Sequence, residues 1–280
     1  MKIGVFDSGY GGLTILEKIR ARLPQYDYLY LGDNARAPYG TRSFEVIYEY
    51  TLQAVRWLHG QGCRLIILAC NTASAKALRT IQQHDINPDE LRVLGVIRPT
   101  VEVVPPLTKT GHVGVLATPA TVSSESYILE LAKIDPNLVV IQQACPMWVP
   151  LIEAGEHLGE GADYYVDEYL REIFAKDPQI DTLILGCTHY PLLLDKIQNW
   201  LVSRSDSSLS TFDFRLSTII CQGAIVADSL ADYLSRHTEI ASALSQNGTC
   251  RYFTTDSADK FRDSASLFLS TPISAEHLEW

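Results

Sequence analysis

What this chain has little of is the first guide to it. Basic residues are outnumbered, 23 Lys and Arg against 33 Asp and Glu, which leaves a formal net charge of −10 over 280 residues. No basic stripe is available to neutralise phosphates, and that excludes nucleic acid as the main partner. The same deficit means that an anionic substrate is not steered in by the overall field and has to be held by local donors. No apolar run approaches the ~18 residues that a membrane span needs. The opening MKIGVFDSG reaches an aspartate by position 7, so it does not read as a secretory signal. Cysteine is sparse, at 63, 70, 145, 187, 221 and 250, with no CxxC pair. In a chain of this size that argues for reduced thiols in a cytoplasmic protein.

What is present is an α/β rhythm with ample apolar content for one large or two modest domains. Its most telling stretch is LIILACNTAS (65–74), echoed by TLILGCTHYP (182–191). Each is a short apolar run that stops at a cysteine and continues into hydroxyl and amide residues, with helix-like sequence beyond. Such a run reads as a buried parallel strand whose carboxyl end opens into a loop, where ligands sit in open α/β sheets. A cysteine there can simply be core, since free cysteine is among the most buried residue types. The repeated setting argues instead for two thiols, Cys70 and Cys187, brought to one site. A helix start beside each sulfur is expected to favour the thiolate.

Taken in order, strands are expected at Lys2–Phe6, Tyr28–Leu31, Leu65–Ala69 and Leu91–Val96, with helices through about Arg22 and over Phe44–Gly60. Three prolines break the pattern in Ile97–Pro106, and it restarts at Val113–Thr118. Ile3-Gly-Val-Phe-Asp-Ser8 matches Val113-Gly-Val-Leu-Ala-Thr118 in strand and hydroxyl, so one βα plan is used twice. The match fails at Asp7, which aligns with Ala117, so the halves deliver similar hydroxyls but different charged helpers. The second half continues with a helix near Val122–Lys133, a strand at Leu138–Ile141, a helix over Tyr164–Phe174 and the strand leading to Cys187. Ser203–Thr211 reads as a surface loop. Leu216–Cys221, Gly223–Leu234, Arg251–Phe253 and a closing helix are expected to return to the first domain. The domains are therefore drawn as 1–97 plus 211–280, and 98–210.

The chemistry of the remaining groups has bland and sharp readings. Asp7 can cap a helix, or position a nearby Cys70 and manage its proton. It lacks the neighbouring acidic residues that a magnesium-dependent nucleophile needs, and DSGYGG lacks the Gly-Lys-Ser/Thr of a phosphate loop. His189, two residues past Cys187, can be a structural histidine, but its place next to a candidate reactive thiol points to proton handling. Glu153 in PLIEAG either orients that imidazole or caps the local chain. Cys70, Cys187 and His189 could suggest zinc, but the usual ligand spacings are absent and no metal is expected. Ser8, Thr72, Thr118, Thr121, Thr188 and the backbone around Tyr39-Gly40 are donors suited to holding carboxylates.

These segments together resemble the cofactor-independent glutamate racemases of the aspartate/glutamate racemase superfamily. The matching motifs are DSGYGGL (7–13), APYG (37–40), ACNTAS (69–74), GVIRP (95–99), ATPATV (117–122), VPLIEAG (149–155) and LGCTHYPLL (185–193), with a weaker match at YFTTDSADKF (252–261). The resemblance implies two similar doubly wound, mostly parallel α/β domains facing each other across the site. It implies interconversion of L- and D-glutamate, supplying D-glutamate for peptidoglycan, with no cofactor. Cys70 would take the proton of D-glutamate with help from Asp7, and Cys187 that of L-glutamate with help from His189 and Glu153. Asp7, Ser8, Tyr39, Gly40, Asn71, Thr72, Thr118, Thr121, Thr188 and His189 fall on the family's substrate-contact positions.

Tyr10, Trp148 and Arg98 depart from the usual pattern without removing a catalytic group. Because the sequence opens directly on its first strand, it is expected to lack the N-terminal extension that some members use to sense a cell-wall precursor. Aspartate racemases are the nearest rival, but they tend to carry Glu after the second Cys-Thr, where this chain has His189. Some family members are reported to inhibit DNA gyrase, an interaction that nothing in the sequence supports. A homodimer is compatible with the resemblance.

Overall fold

The protein is described from a computed structural model, which covers residues 1–205 and 218–280. Its strands are β1 (Lys2–Asp7), β2 (Tyr28–Gly32), β3 (Cys63–Leu68), β4 (Arg92–Gly95), β5 (His112–Ala117), β6 (Val139–Ala144), β7 (Thr182–Gly186), β8 (Thr218–Ile220), β9 (Cys250–Thr254) and β10 (Ala275–His277). They form two sheets, in the orders β10-β9-β2-β1-β3-β4 and β6-β5-β7-β8. Every pairing is parallel. Helices connect them, and the α/β class with two like sheets is as expected.

The internal echo in the sequence has a direct counterpart in the topology. β1 lies between β2 and β3, and β5 lies between β6 and β7. Residues after β1 and β5 therefore meet residues after β3 and β7, each within its own sheet. In β3, Leu65, Ile66, Ile67 and Leu68 are all buried, because helices cover both faces of the sheet. That double burial is why the run does not alternate, and each such side chain contributes about 1.5–3 kcal/mol.

Four expectations need correction. The proline-broken stretch after β4 contains a helix, Ile97–Glu102. Pro99 sits in its first turn, where the missing N–H has no intrahelical acceptor to lose. The helix expected near Val122–Lys133 is two pieces, Pro119–Ser123 and Ser126–Ile134, parted at Glu125, whose φ is 55°. The chain does not return to the first sheet at residue 211. β8 pairs with β7 in the second sheet, and only β9 and β10 rejoin the first. An edge beside β7 was still open for pairing, which a reading by element order alone does not reveal. The loop expected over Ser203–Thr211 begins inside the helix Leu194–Ser205, and from residue 206 on it lies outside the described residues.

The two sheets are not separately packed. The helix Gln222–Arg236, which follows β8, packs on Gly12–Arg22, which follows β1. Leu13, Leu16 and Ile19 share one apolar core with Val226, Leu230, Leu116 and Tyr190. That core ties the carboxyl ends of both sheets to a common cleft.

Candidate active site

Cys70 stands two residues past β3, in an extended conformation that caps the helix Asn71–Lys76. Its sulfur accepts from the Ala73 N–H at 3.4 Å, and Ser8 Oγ lies 3.4 Å away. Burial pushes this thiol up to about 12, and the negative charge of Asp7 adds to the rise. The bonds from Ser8 and Ala73 act the other way and lose. The helix was expected to favour the thiolate. It is too short for its dipole to offset removal of the sulfur from water. At neutral pH Cys70 keeps its proton.

Asp7 lies behind this wall of the cleft. Its Oδ2 accepts from the Gly9 N–H at 2.9 Å, while Oδ1 is buried without a partner among the described residues. Burial raises its pKa, opposed by the nearby charge of His189 and by the Gly9 and Gly12 amides. The group that touches the Cys70 sulfur is Ser8, not Asp7.

The second thiol is set up differently. Cys187 follows β7 directly, but no α-helix begins beside it. A short 3₁₀ turn, Tyr190–Leu193, comes first, and the helix starts only at Leu194. The helper is an imidazole instead. His189 Nδ1 lies 3.8 Å from Cys187 Sγ, and Nε2 lies 3.0 Å from Glu153 Oε1. Burial by itself would lower the pKa of His189, but its bonds to Cys187 and Glu153 and their charges outweigh it. The result is a rise to about 10. His189 is an imidazolium at neutral pH.

Ser8, Tyr39, Gly40, Cys70, Asn71 and Thr72 line one side of a single cavity, and Thr118, Glu153, Cys187, Thr188 and His189 line the other. Thr72, Thr118 and Thr121 join across it as three hydroxyls, 3.0–3.3 Å apart. Thr121 sits behind Thr118 and, like Asp7, is not part of the cavity wall. Gly40 has no room for a side chain, since a Cβ there would stand 2.7 Å from Thr118 Cβ. Tyr39 is part of the wall. Its hydroxyl is donated to Asp33, and burial with that carboxylate keeps it far above the usual phenol range.

Sequence reasoning missed several groups. Phe268, from the tail, meets the His189 ring edge-on at 5.4 Å. Tyr10, one of the departures from pattern, stacks on Phe268 at 6.1 Å. Trp148, another, is fully buried edge-on to Tyr190, and Arg98 pairs with Glu102 and Glu130. Cys145, also in the wall, is kept protonated by burial. Gln222 holds Asn71 at 2.6 Å. Tyr10, Trp148 and Arg98 lie in or beside the motifs, whereas Phe268 and Gln222 lie near none, and Cys145 offered only its placement after an apolar run as a signal. Among the described residues no group of three or more His, Cys, Asp or Glu could hold a metal ion.

A family model described as Asp/Glu/Hydantoin racemase matches residues 13–206. The chain belongs to that family. As a member it is an amino-acid racemase, an isomerase, and the likeness extends beyond the matched segment. A glutamate racemase of Ruegeria sp. (strain TM1040) is 41% identical over 286 residues, covering 99% of both chains. One from Aquifex aeolicus is 45% identical over 213 residues, 75% of this chain and 80% of that protein. Among solved structures, a glutamate racemase isoform from Bacillus anthracis superposes with a TM-score of 0.85 at 33% identity, over 99% of this chain and 97% of that one. The racemase from Francisella tularensis, solved in complex with D-glutamate, gives 0.84 at 34% identity over the same shares. In this racemase, no helix among the described residues is long and apolar enough to cross a membrane.

Proposed function

We propose that the protein interconverts L- and D-glutamate without a cofactor, by proton transfer between two thiols and the α-carbon. The observation that carries this is the arrival of Cys70 and Cys187 in one cavity from equivalent strand ends of two different sheets. A carbon bound between them meets a sulfur on each face. Inversion needs both, because a single base returns its proton to the side it left.

In the L-to-D direction, Cys187 takes the α-proton and Cys70, which holds a proton at neutral pH, delivers its own to the opposite face. The electron pair released from the broken C–H bond stays on the substrate between those two events. Aligned donors such as Ser8, Asn71, Thr72, Thr118 and Thr188, with the Gly40 backbone, stabilise that negative charge and grip the carboxylates. His189, steadied by Glu153, manages the proton of Cys187. Asp7, acting through the charge it places behind Cys70, helps to keep the proton there. Exclusion of water between the two halves strengthens each of these interactions. The halves are built on the sheet of β1–β4 with β9 and β10, and on the sheet of β5–β8. We place the activity in the cytoplasm, where it supplies D-glutamate for peptidoglycan.

Aspartate is the alternative substrate. His189 in the position after the second Cys-Thr favours glutamate, as do the glutamate racemases at about 40% identity. Circular dichroism of L-glutamate incubated with the protein, no cofactor added, tests the proposal. Decay of the signal to zero is expected; an unchanged signal, or faster decay with L-aspartate, overturns it.

A further inference from the structure

A buried polar relay decides which way Asn71 points. Asn71, Thr100, Tyr127 and Gln222 are each at most 2% exposed. Thr100 Oγ1 donates to the Val96 carbonyl at 2.7 Å, and a carbonyl can only accept. The one hydroxyl hydrogen is thereby used, so Thr100 must accept from Gln222, at 2.8 Å. The Gln222 atom facing Thr100 is therefore its amide nitrogen, and the atom facing Asn71 is its oxygen. That oxygen accepts from Asn71 Nδ2 at 2.6 Å, while Tyr127 donates to Asn71 Oδ1 at 2.7 Å. Gln222 Nε2 also reaches the Tyr127 hydroxyl at 3.0 Å and Asn71 Oδ1 at 3.2 Å. With the amide oriented this way, both acceptor positions of Asn71 are taken from behind. Among the described residues one Nδ2 hydrogen has no acceptor, and Asn71 lines the cavity.

We infer that Gln222 is a positioning residue that locks the Asn71 amide so that it presents an N–H, not a C=O, to a carboxylate of the substrate. A flipped Asn71 would aim its oxygen at that carboxylate, set oxygen against oxygen at the 2.6 Å contact with Gln222, and set nitrogen against nitrogen at the 3.2 Å one. The relay draws on parts far apart in the chain. Asn71 follows the first sheet's β3, Thr100 and Tyr127 stand on helices either side of β5, and Gln222 opens the helix after β8. Closing the two halves and aiming the donor are then one event. This role rests on glutamate being the substrate.

Steady-state kinetics with L-glutamate test it, on wild type, Gln222→Met, Thr100→Val, Thr100→Ser, Asn71→Ala and the Asn71→Ala/Gln222→Met double variant. Met is close in length but carries no amide, and Val keeps the shape of Thr without the hydroxyl. Loss of one hydrogen bond to a charged group corresponds to a rise in KM of about tenfold or more for Gln222→Met and Thr100→Val. Thr100→Ser, which keeps the hydroxyl, is expected to retain the wild-type KM. In the Asn71→Ala background Gln222→Met should add nothing further, which a merely structural role would not produce. Wild-type KM in both Gln222→Met and Thr100→Val, or an undiminished effect of Gln222→Met without Asn71, overturns the role. Should Gln222→Met fail to fold, the contrast between Thr100→Val and Thr100→Ser decides. A wild type that leaves L-glutamate unchanged overturns the substrate assignment, and this role with it.

Discussion

Gly11 lies so close to His189 that a Cβ built on it would stand 2.7 Å from His189 Cε1. The same atom would overlap the Thr188 hydroxyl. The glycine in DSGYGG is thus needed less for its backbone freedom than for the approach of the second sheet's loop to the first. Gly11→Ala forces the imidazole and Thr188 out of place. Misplacement of a catalytic group by an ångström costs roughly 100-fold. Turnover is expected to fall by about that factor while the far-ultraviolet circular dichroism is retained; normal turnover would contradict the contact.

The charge on His189 links folding to pH. Its value rises from 6.5 to about 10 on folding, so the folded state binds the proton more tightly. That stabilisation is complete below pH 6.5 and is lost as pH rises through about 10. The thermal midpoint of the protein is expected to decline across this window. Glu153→Gln removes one of the two partners that hold the imidazolium, so the decline should become shallower. Calorimetry of both proteins from pH 6.5 to 10 measures it, and identical slopes would rule out Glu153 as a support.

The two thiols should separate in isotope exchange. Without Cys187, as Ser, release of the α-proton from L-glutamate into solvent is expected to fall more than release from D-glutamate. Cys70→Ser should do the reverse. Nuclear magnetic resonance of each enantiomer in deuterated water follows the exchange. Equal losses for both enantiomers in both variants would contradict the face assignment.

Asp27 makes a stability prediction away from the site. Its Oδ1 accepts from the Thr249 N–H at 2.9 Å and the Thr249 hydroxyl at 2.6 Å, and its Oδ2 from Asn247 at 2.6 Å. Burial opposes ionisation, but the donors, with Ser245, win and hold the carboxyl well below its usual range. Asp27→Asn turns an amide toward those donors and is expected to cost about 1–3 kcal/mol at neutral pH. Because the folded value is depressed, the contribution is present above 3.8 and fades as pH falls below it. Urea unfolding should show the gap between variant and wild type narrowing in that acid range.

The local parts of this protein were legible in its sequence. Apolar runs ending in Cys70 and Cys187, and the likeness of the runs before Ser8 and Thr118, depend on neighbours along the chain and on the burial that parallel strands impose. They led to the two sheets, the strand ends and the family. The linkage of His189 to its thiol was also legible, since only Thr188 stands between them.

Folding alone decided the rest. Sequence neighbours predicted a favoured thiolate at Cys70, yet burial outweighs the helix start. Desolvation depends on what packs around a group, and most of what packs around Cys70 is remote in sequence. The same holds for Phe268 against His189, and for Gln222 behind Asn71. The amino-acid order determined which groups reach the cleft; their charge and orientation there were settled by contacts among segments that meet only when the two sheets close on a common core.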